Sequence, residues 1–297
     1  MTVALHGDAG RVWLDGLPAL VEECAARWSL KVGPPFPHLS YNYAAPAEGP
    51  GGERLVLKLG VPVRELLSEM EALRLFGGRG AARLFESDAA RGALLLERLE
   101  PGTQLVPLRE EDDEAATSVA ASVMRKLRRA APDAHDFPTA ADWGRGFARC
   151  RAHFGGGTGP FPRRLFDESE SLYAELLASS AAPVLLHGDL HHGNILAAER
   201  EPWLAIDPKG LVGEPAYEVG ALLRNPLPQL LRWPNPARVT ERRIAQLSEE
   251  LGLERARVRG WGLAQAALSA WWSIEDEGEL GEFGFAAAEV IAAASVV

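Results

Sequence analysis

The chain of 297 residues has two cysteines, four lysines and no uninterrupted apolar run of about eighteen residues. Each scarcity excludes something. Cys24 and Cys150 cannot build a disulfide framework, and no ligand-spaced cluster suited to zinc accompanies them. The missing apolar run excludes an ordinary membrane-spanning helix, since the apolar tail from Phe285 is interrupted by Glu289. Positive charge is short as well: 31 Lys plus Arg stand against 41 Asp plus Glu, a net of −10, which argues against nucleic acid as a partner. The first residues lack a basic stretch followed by an apolar one. No signal peptide is read, and the expected compartment is the cytoplasm, with no membrane partner.

What is present is enough apolar material, 47%, to bury a core without staples. Acidity is uneven. Residues 1–97 carry ten basic and twelve acidic side chains, and residues 98–297 carry twenty-one and twenty-nine. The second part could attract a cation, although solubility explains the excess equally well.

Local patterns give the organisation. Leu17 to Leu30 reads as an amphipathic helix, Leu39 to Tyr43 as a strand, and Gly49 to Gly52 as the turn of a hairpin. Arg54 to Leu59 is a strand, and a helix follows from near Pro62 to Phe76, where Gly77 ends it. Ala82 to Glu86 and Ala93 to Glu97 read as strands. Beyond Glu97 the pattern turns helical: Asp112 to Ala131, Leu165 to Ser179, Thr240 to Leu251 and Val258 to Ile274. Short strands fall at Val184 to Leu186, Ile195 to Ala198 and Trp203 to Ile206. The expectation is a sheet-rich part over 1–97 and a helical part over 98–297.

The most informative stretch runs from Val184 to Gly210. An apolar strand leads into His187-Gly188-Asp189, a turn follows, Asn194 comes five residues after Asp189, and a later strand ends at Asp207. Two acids and an amide at strand ends suit a hard cation such as Mg²⁺, which takes a few oxygen ligands plus substrate phosphates. Taken singly, Asp189 could be a turn residue and Asn194 could merely tolerate an unusual backbone. His187, His191 and His192 also raise a histidine metal site of a hydrolase, but no helix-borne HExxH pattern supports it. An earlier His6-Gly7-Asp8 has Trp13 where Asn would be needed and reads as coincidence.

Lys58 lies inside the apolar strand Leu55 to Leu59, where a buried ammonium needs a counter-charge or an anion. It could also be an exposed lysine at a sheet edge. On the next helix Leu66, Met70, Leu73 and Phe76 form one apolar stripe. Glu69 falls within that stripe and is the chosen partner; Glu65 is the fallback, and Glu71 falls on the opposite, solvated side. No GxxxxGK[ST] loop occurs, which argues against a P-loop kinase.

The loop from His187 to Asp207 resembles the catalytic loop of the protein-kinase-like superfamily, and most closely that of aminoglycoside phosphotransferases. The string from Ala205 to Gly220 is similar to the streptomycin 6-kinase and hydroxyurea-resistance kinase branch. The resemblance implies an α+β, bilobal, protein-kinase-like fold: a small antiparallel-sheet N-lobe with one main helix, and a larger, mostly helical C-lobe. It implies ATP and Mg²⁺ as cofactors, Asp189 as catalytic base, and Asn194 and Asp207 as metal ligands. Lys58 with Glu69 would fix the triphosphate, Ser40 would lie in the phosphate-covering loop, and the backbone around Glu97 and Leu99 would grip adenine. His187 and Glu218 would brace the catalytic loop, Glu218 standing where relatives commonly have Asp. Lys209, beside Asp207, could touch phosphate or be exposed.

The activity so implied is transfer of the γ-phosphoryl group of ATP to a hydroxyl of a small molecule, such as an aminoglycoside like streptomycin. Alternatives are a choline-, homoserine- or sugar-type kinase of the same fold, or an inactive kinase-like binding protein. A cationic acceptor would suit the six acidic residues from Glu275 to Glu289 beside Trp271 and Trp272, although a solvated helix end reads at least as well.

Overall fold

The computed structural model describes residues 2–37, 39 and 41–295, less the side chain of Glu277. It opens with a long helix, α1 (Thr2–Trp28), broken by a non-helical backbone at Gly7. This helix starts earlier than the expected Leu17. Val12 and Leu14 are exposed, so the first half buries no stripe by which periodicity could reveal it.

The strands β1 (Lys31–Val32), β2 (Tyr43–Glu48), β3 (Arg54–Leu59), β4 (Leu84–Asp88) and β5 (Ala93–Glu97) form one antiparallel sheet in the order β1-β2-β3-β5-β4. Gly49 to Gly52 makes the turn between β2 and β3, as expected. The expected strand from Leu39 to Tyr43 is displaced: β2 begins at Tyr43 and runs through Pro46. Proline is tolerated there because its carbonyl, which accepts from Gly33 N–H past the end of two-residue β1, faces the β1 side rather than β3. The missing donor lies on that same side, so no bond to β3 is lost. Helix α2 (Arg64–Phe76) crosses the sheet and ends on Gly77 in the left-handed region, with Leu66, Glu69, Met70, Leu73 and Phe76 buried.

After β6 (Pro101–Gln104) the helix expected from Asp112 to Ala131 is present but stops at Leu127, and a short helix that was not expected precedes it. Helix α3 (Val106–Glu111) ends at Asp112, whose carboxylate accepts from Ala115 N–H and caps α4 (Asp113–Leu127). Then come β7 (Arg129–Ala130), α5 (Ala140–His153), which the sequence reading did not assign, and α6 (Arg163–Ala178). Four short strands follow: β8 (Val184–Leu186), β9 (Ile195–Ala198), β10 (Trp203–Ala205) and β11 (Leu211–Gly213). They form two three-stranded sheets, β10-β9-β6 and β11-β8-β7. Helices α7 (Val219–Leu223), α8 (Pro236–Leu251), α9 (Arg255–Glu277) and α10 (Ala286–Ala293) complete the chain. The molecule is bilobal, a five-stranded antiparallel sheet facing a larger helical lobe. Among the described residues no helix is long and apolar enough to cross a membrane.

The lobes join along one edge through the main chain. Ala82 N–H donates to the Ala205 carbonyl and Ala205 N–H to the Gly80 carbonyl, both at 2.8 Å. Arg200, in the β9–β10 turn, adds bonds to the Glu97 carboxylate at 2.8 Å and to the carbonyls of Gly78 and Ala81.

Candidate active site

Two adjoining cavities lie between the lobes. The larger, about 540 Å³, is lined by Val56, Leu96, Glu97, Leu99 and Ile206, with Lys58 and Asp207 at its inner end. The smaller, about 240 Å³, shares Lys58 and Asp207 and adds Glu69, Asp189, His191 and Asn194.

Lys58 is paired in the sheet with Ala44 and Leu94 and points inward. Its ammonium donates to Glu69 at 2.5 Å and to Asp207 at 3.0 Å. Burial alone would lower its pKa, but Asp207 and Glu69 outweigh that and hold it above its ordinary value, so the lysine stays charged. The buried sheet lysine and α2 carboxylate thus form one cluster with the half-exposed acid after β10. Glu71 meets Arg74 on the outer face, while Glu65 takes the Lys209 ammonium.

The loop after β8 is held from several sides. Glu218, in the turn before α7, accepts from His187 N–H at 2.7 Å and from Gly188 N–H at 2.9 Å. Burial pushes its carboxyl up to about 7, against the pull of those two donors. His187 is fully buried; its Nε2–H donates to the Ile206 carbonyl at 2.8 Å and its Nδ1 accepts from Asp189 N–H at 3.3 Å. Burial lowers this ring to about 4, so it is neutral near pH 7. The loop after Asp207 folds back on the same residue, with Lys209 N–H donating to the His187 carbonyl at 2.8 Å. Gly210 sits at φ +65 against the Ser68 carbonyl of α2, 2.8 Å from where a Cβ would stand, so only glycine lets that loop close on the helix.

Asp189 presents its carboxylate to the smaller cavity. Burial raises its pKa, but the Arg224 guanidinium, His191, Lys209 and His187 together outweigh it and hold it below its ordinary value, so the group is an anion. Asn194 Nδ2 donates to the Asp189 carbonyl at 3.0 Å, which leaves the amide oxygen as its free end. Asp207 stands in the left-handed region at φ 57, rare for a residue with a side chain, and its carboxylate is half-exposed. Lys58 outweighs burial and keeps it below its ordinary value.

These oxygens fit Mg²⁺. Asp207 offers a carboxylate and Asn194 an amide oxygen on one cavity wall, hard donors that leave room for phosphates and water. Among the described residues no three His, Cys, Asp or Glu side chains converge on one point. A magnesium site built on one carboxylate needs no such cluster. The three loop histidines part company: His187 faces Ile206, His191 the smaller cavity, and His192 is buried with neither ring nitrogen partnered among the described residues.

Of the other expected residues, Glu97 and Leu99 line the larger cavity. The Glu97 side chain is engaged by Arg200 and by Arg83 N–H. Ser40 lies outside the described residues. Among the acids from Glu275 on, Glu275 is tied to Arg149 at 2.5 and 2.9 Å rather than open to a ligand. Arg224 and Arg200 were not anticipated. Arg224 had one signal, a lone charge closing the apolar run from Val219 to Leu223.

The family model described as aminoglycoside/hydroxyurea antibiotic resistance kinase matches residues 44–278. The chain belongs to this family. Streptomycin 6-kinase of Streptomyces glaucescens is 36% identical over 271 residues, 91% of this chain and 87% of that protein. Hydroxyurea phosphotransferase of Kitasatospora aureofaciens is 38% identical over 293 residues, 96% of this chain and 82% of that protein. This resistance-kinase family member shares its fold with a choline kinase of Streptococcus pneumoniae, at TM-score 0.65 and 13% identity over 93% of this chain and 97% of the other. An aminoglycoside phosphotransferase solved with ADP and hygromycin B gives the same TM-score and identity over 93% and 99%. The chain is a phosphotransferase with an alcohol group as acceptor.

Proposed function

We propose that this chain transfers the γ-phosphoryl group of ATP, with Mg²⁺, to a hydroxyl of streptomycin or a related antibiotic in the cytoplasm. The observation that carries the reading is the convergence of Lys58, Glu69, Asp189, Asn194 and Asp207 on two connected cavities. Residues 1–97 would hold the nucleotide and residues 98–297 the loop and the acceptor. The larger cavity has apolar walls suited to a base, with the backbone from Glu97 to Leu99 at its rim.

Lys58, fixed by Glu69, would hold the α- and β-phosphates. Asp207 and Asn194 would hold Mg²⁺, which when bound neutralises phosphate charge. Asp189 would accept the acceptor's hydroxyl proton or orient that hydroxyl in line with the phosphoryl group. Positioning supplies much of the catalysis, and the bracing of the loop by Glu218 and His187 is how this chain would provide it.

A second reading, an uncharged acceptor such as hydroxyurea, is favoured by one feature. The carboxylates of the smaller cavity already have cations: Asp189 with Arg224, Glu65 with Lys209, and Glu69 and Asp207 with Lys58. ADP release would be measured with Mg-ATP against streptomycin, other aminoglycosides, hydroxyurea, choline and homoserine. We expect acceptor-dependent ADP from the wild type and none from Asp189→Ala, which should still bind ATP. Turnover retained in Asp189→Ala would remove Asp189 from the mechanism, and no ATP binding by the wild type would remove the reading itself.

A further inference from the structure

Arg224 lies one residue past α7, in the segment that also carries Glu218. Its Nη2 donates to Asp189 Oδ1 at 2.9 Å. The other carboxylate oxygen, Oδ2, is 3.8 Å from His191 Nε2, beyond hydrogen-bond reach. His191 Nδ1 accepts from Gly193 N–H at 3.0 Å, so the neutral ring carries its proton on Nε2, toward that free oxygen. The two oxygens of Asp189 are therefore unequal: one is held by a guanidinium, and the other meets no hydrogen-bond donor among the described residues, in a side chain that lines the smaller cavity.

Arg224 is not a good investment for folding alone. Its Nε is buried and meets no acceptor among the described residues, a cost that a side chain serving only stability would avoid. The other ties to the loop hold its backbone: Glu218 at His187 and Gly188, and Asn194 at the Asp189 carbonyl. The Arg224 bond holds the carboxylate itself.

We infer that Arg224 is a positioning residue for phosphoryl transfer: by engaging Oδ1 it fixes the Asp189 side chain so that Oδ2 meets the acceptor hydroxyl. His191 Nε2–H stands close enough to Oδ2 for one hydroxyl oxygen to accept from it while donating to the carboxylate. The inference rests on the phosphotransfer reading, and the two fail differently.

The test is steady-state kinetics of the full chain with Mg-ATP and each of streptomycin and hydroxyurea, for wild type, Arg224→Ala, Arg224→Lys and Arg224→Gln. In Arg224→Ala we expect kcat to fall on the order of a hundredfold, the loss that about 1 Å of misplacement can cause. KM for ATP should be unchanged. Guanidinium ion added at millimolar concentration should restore part of kcat in that variant and none in Asp189→Ala. Arg224→Lys should lie between, and Arg224→Gln should serve if the alanine variant does not fold. Variants as active as wild type, or faster, would overturn the inference and make the contact a resting latch that the acceptor displaces. Equal losses in all three without guanidinium rescue would also overturn it, because they mark a structural role. A wild type that releases no acceptor-dependent ADP with either compound would sink the phosphotransfer reading, and this inference with it.

Discussion

Glu218 is a carboxylate used as a backbone clamp, and burial makes it expensive to ionise. Its pKa rises from the ordinary 4.5 to about 7. An acid whose pKa is higher in the folded state favours folding while it is protonated. That contribution is full below about 4.5 and is lost as pH climbs through about 7. We expect the wild type to lose stability against Glu218→Gln as pH rises from about 5 to about 8, with urea titrations at each pH as the measurement. A gap between the two proteins that is flat in pH would dispose of the raised pKa. The same scale explains what could be read in advance. Asp189, Asn194 and Asp207 lie within one short stretch, and their spacing with the flanking strands carries the chemistry. Lys58 and Glu69 were legible because burial forces a pairing, one from an apolar strand and one from an apolar helical stripe. Arg224 had little chance: it reaches Asp189 across 35 positions, and the run before it reads as an ordinary core helix.

At the scale of elements, the apolar pattern found the longer helices and missed α5, although α5 buries Ala140, Phe147 and Cys150 on one face. The stripe is short and is diluted by glycine. Gly144 and Gly146 lower the helix's intrinsic propensity, and both sit where larger residues would strike Tyr173 and Leu268. The signature of α5 lies at its start. Thr139 Oγ1 accepts from Asp142 N–H at 3.1 Å while the Asp142 carboxylate accepts from Thr139 N–H at 2.9 Å, a reciprocal capping box. Thr139→Ala should cost about 1 kcal/mol, read as a shift in the urea midpoint without a change in slope. A neutral result would mean that packing alone sets where α5 begins. Strand β2 teaches the converse: Pro46 argues for a turn until the two-residue length of β1 is known, and no local pattern gives that length.

For the whole molecule the question is whether two lobes mean two folding units. Leu66, Met70 and Phe76 of α2 belong to the same buried cluster as Met124 and Leu127 of α4 and Leu186 of β8. The helix of the small lobe is thus packed into the core of the large one, and we expect a single calorimetric transition. Arg200→Ala removes the guanidinium from the Glu97 carboxylate and from two carbonyls, leaving polar groups unpaired in a part-buried joint. About 2 kcal/mol of destabilisation should follow, with the transition lower but still single. Two resolved transitions in the variant would show that Arg200, rather than the shared core, couples the lobes.

The joint itself has a bearing on ancestry. Its central bonds run between peptide groups of Gly80, Ala82 and Ala205, so they constrain side-chain size but hardly side-chain identity. Mutation can rewrite the cavity walls for a new acceptor while that seam passes from ancestor to descendant unaltered. Such a joint is indifferent to most sequence change in a way that a pocket is not, which suits a fold that is shared at 13% identity.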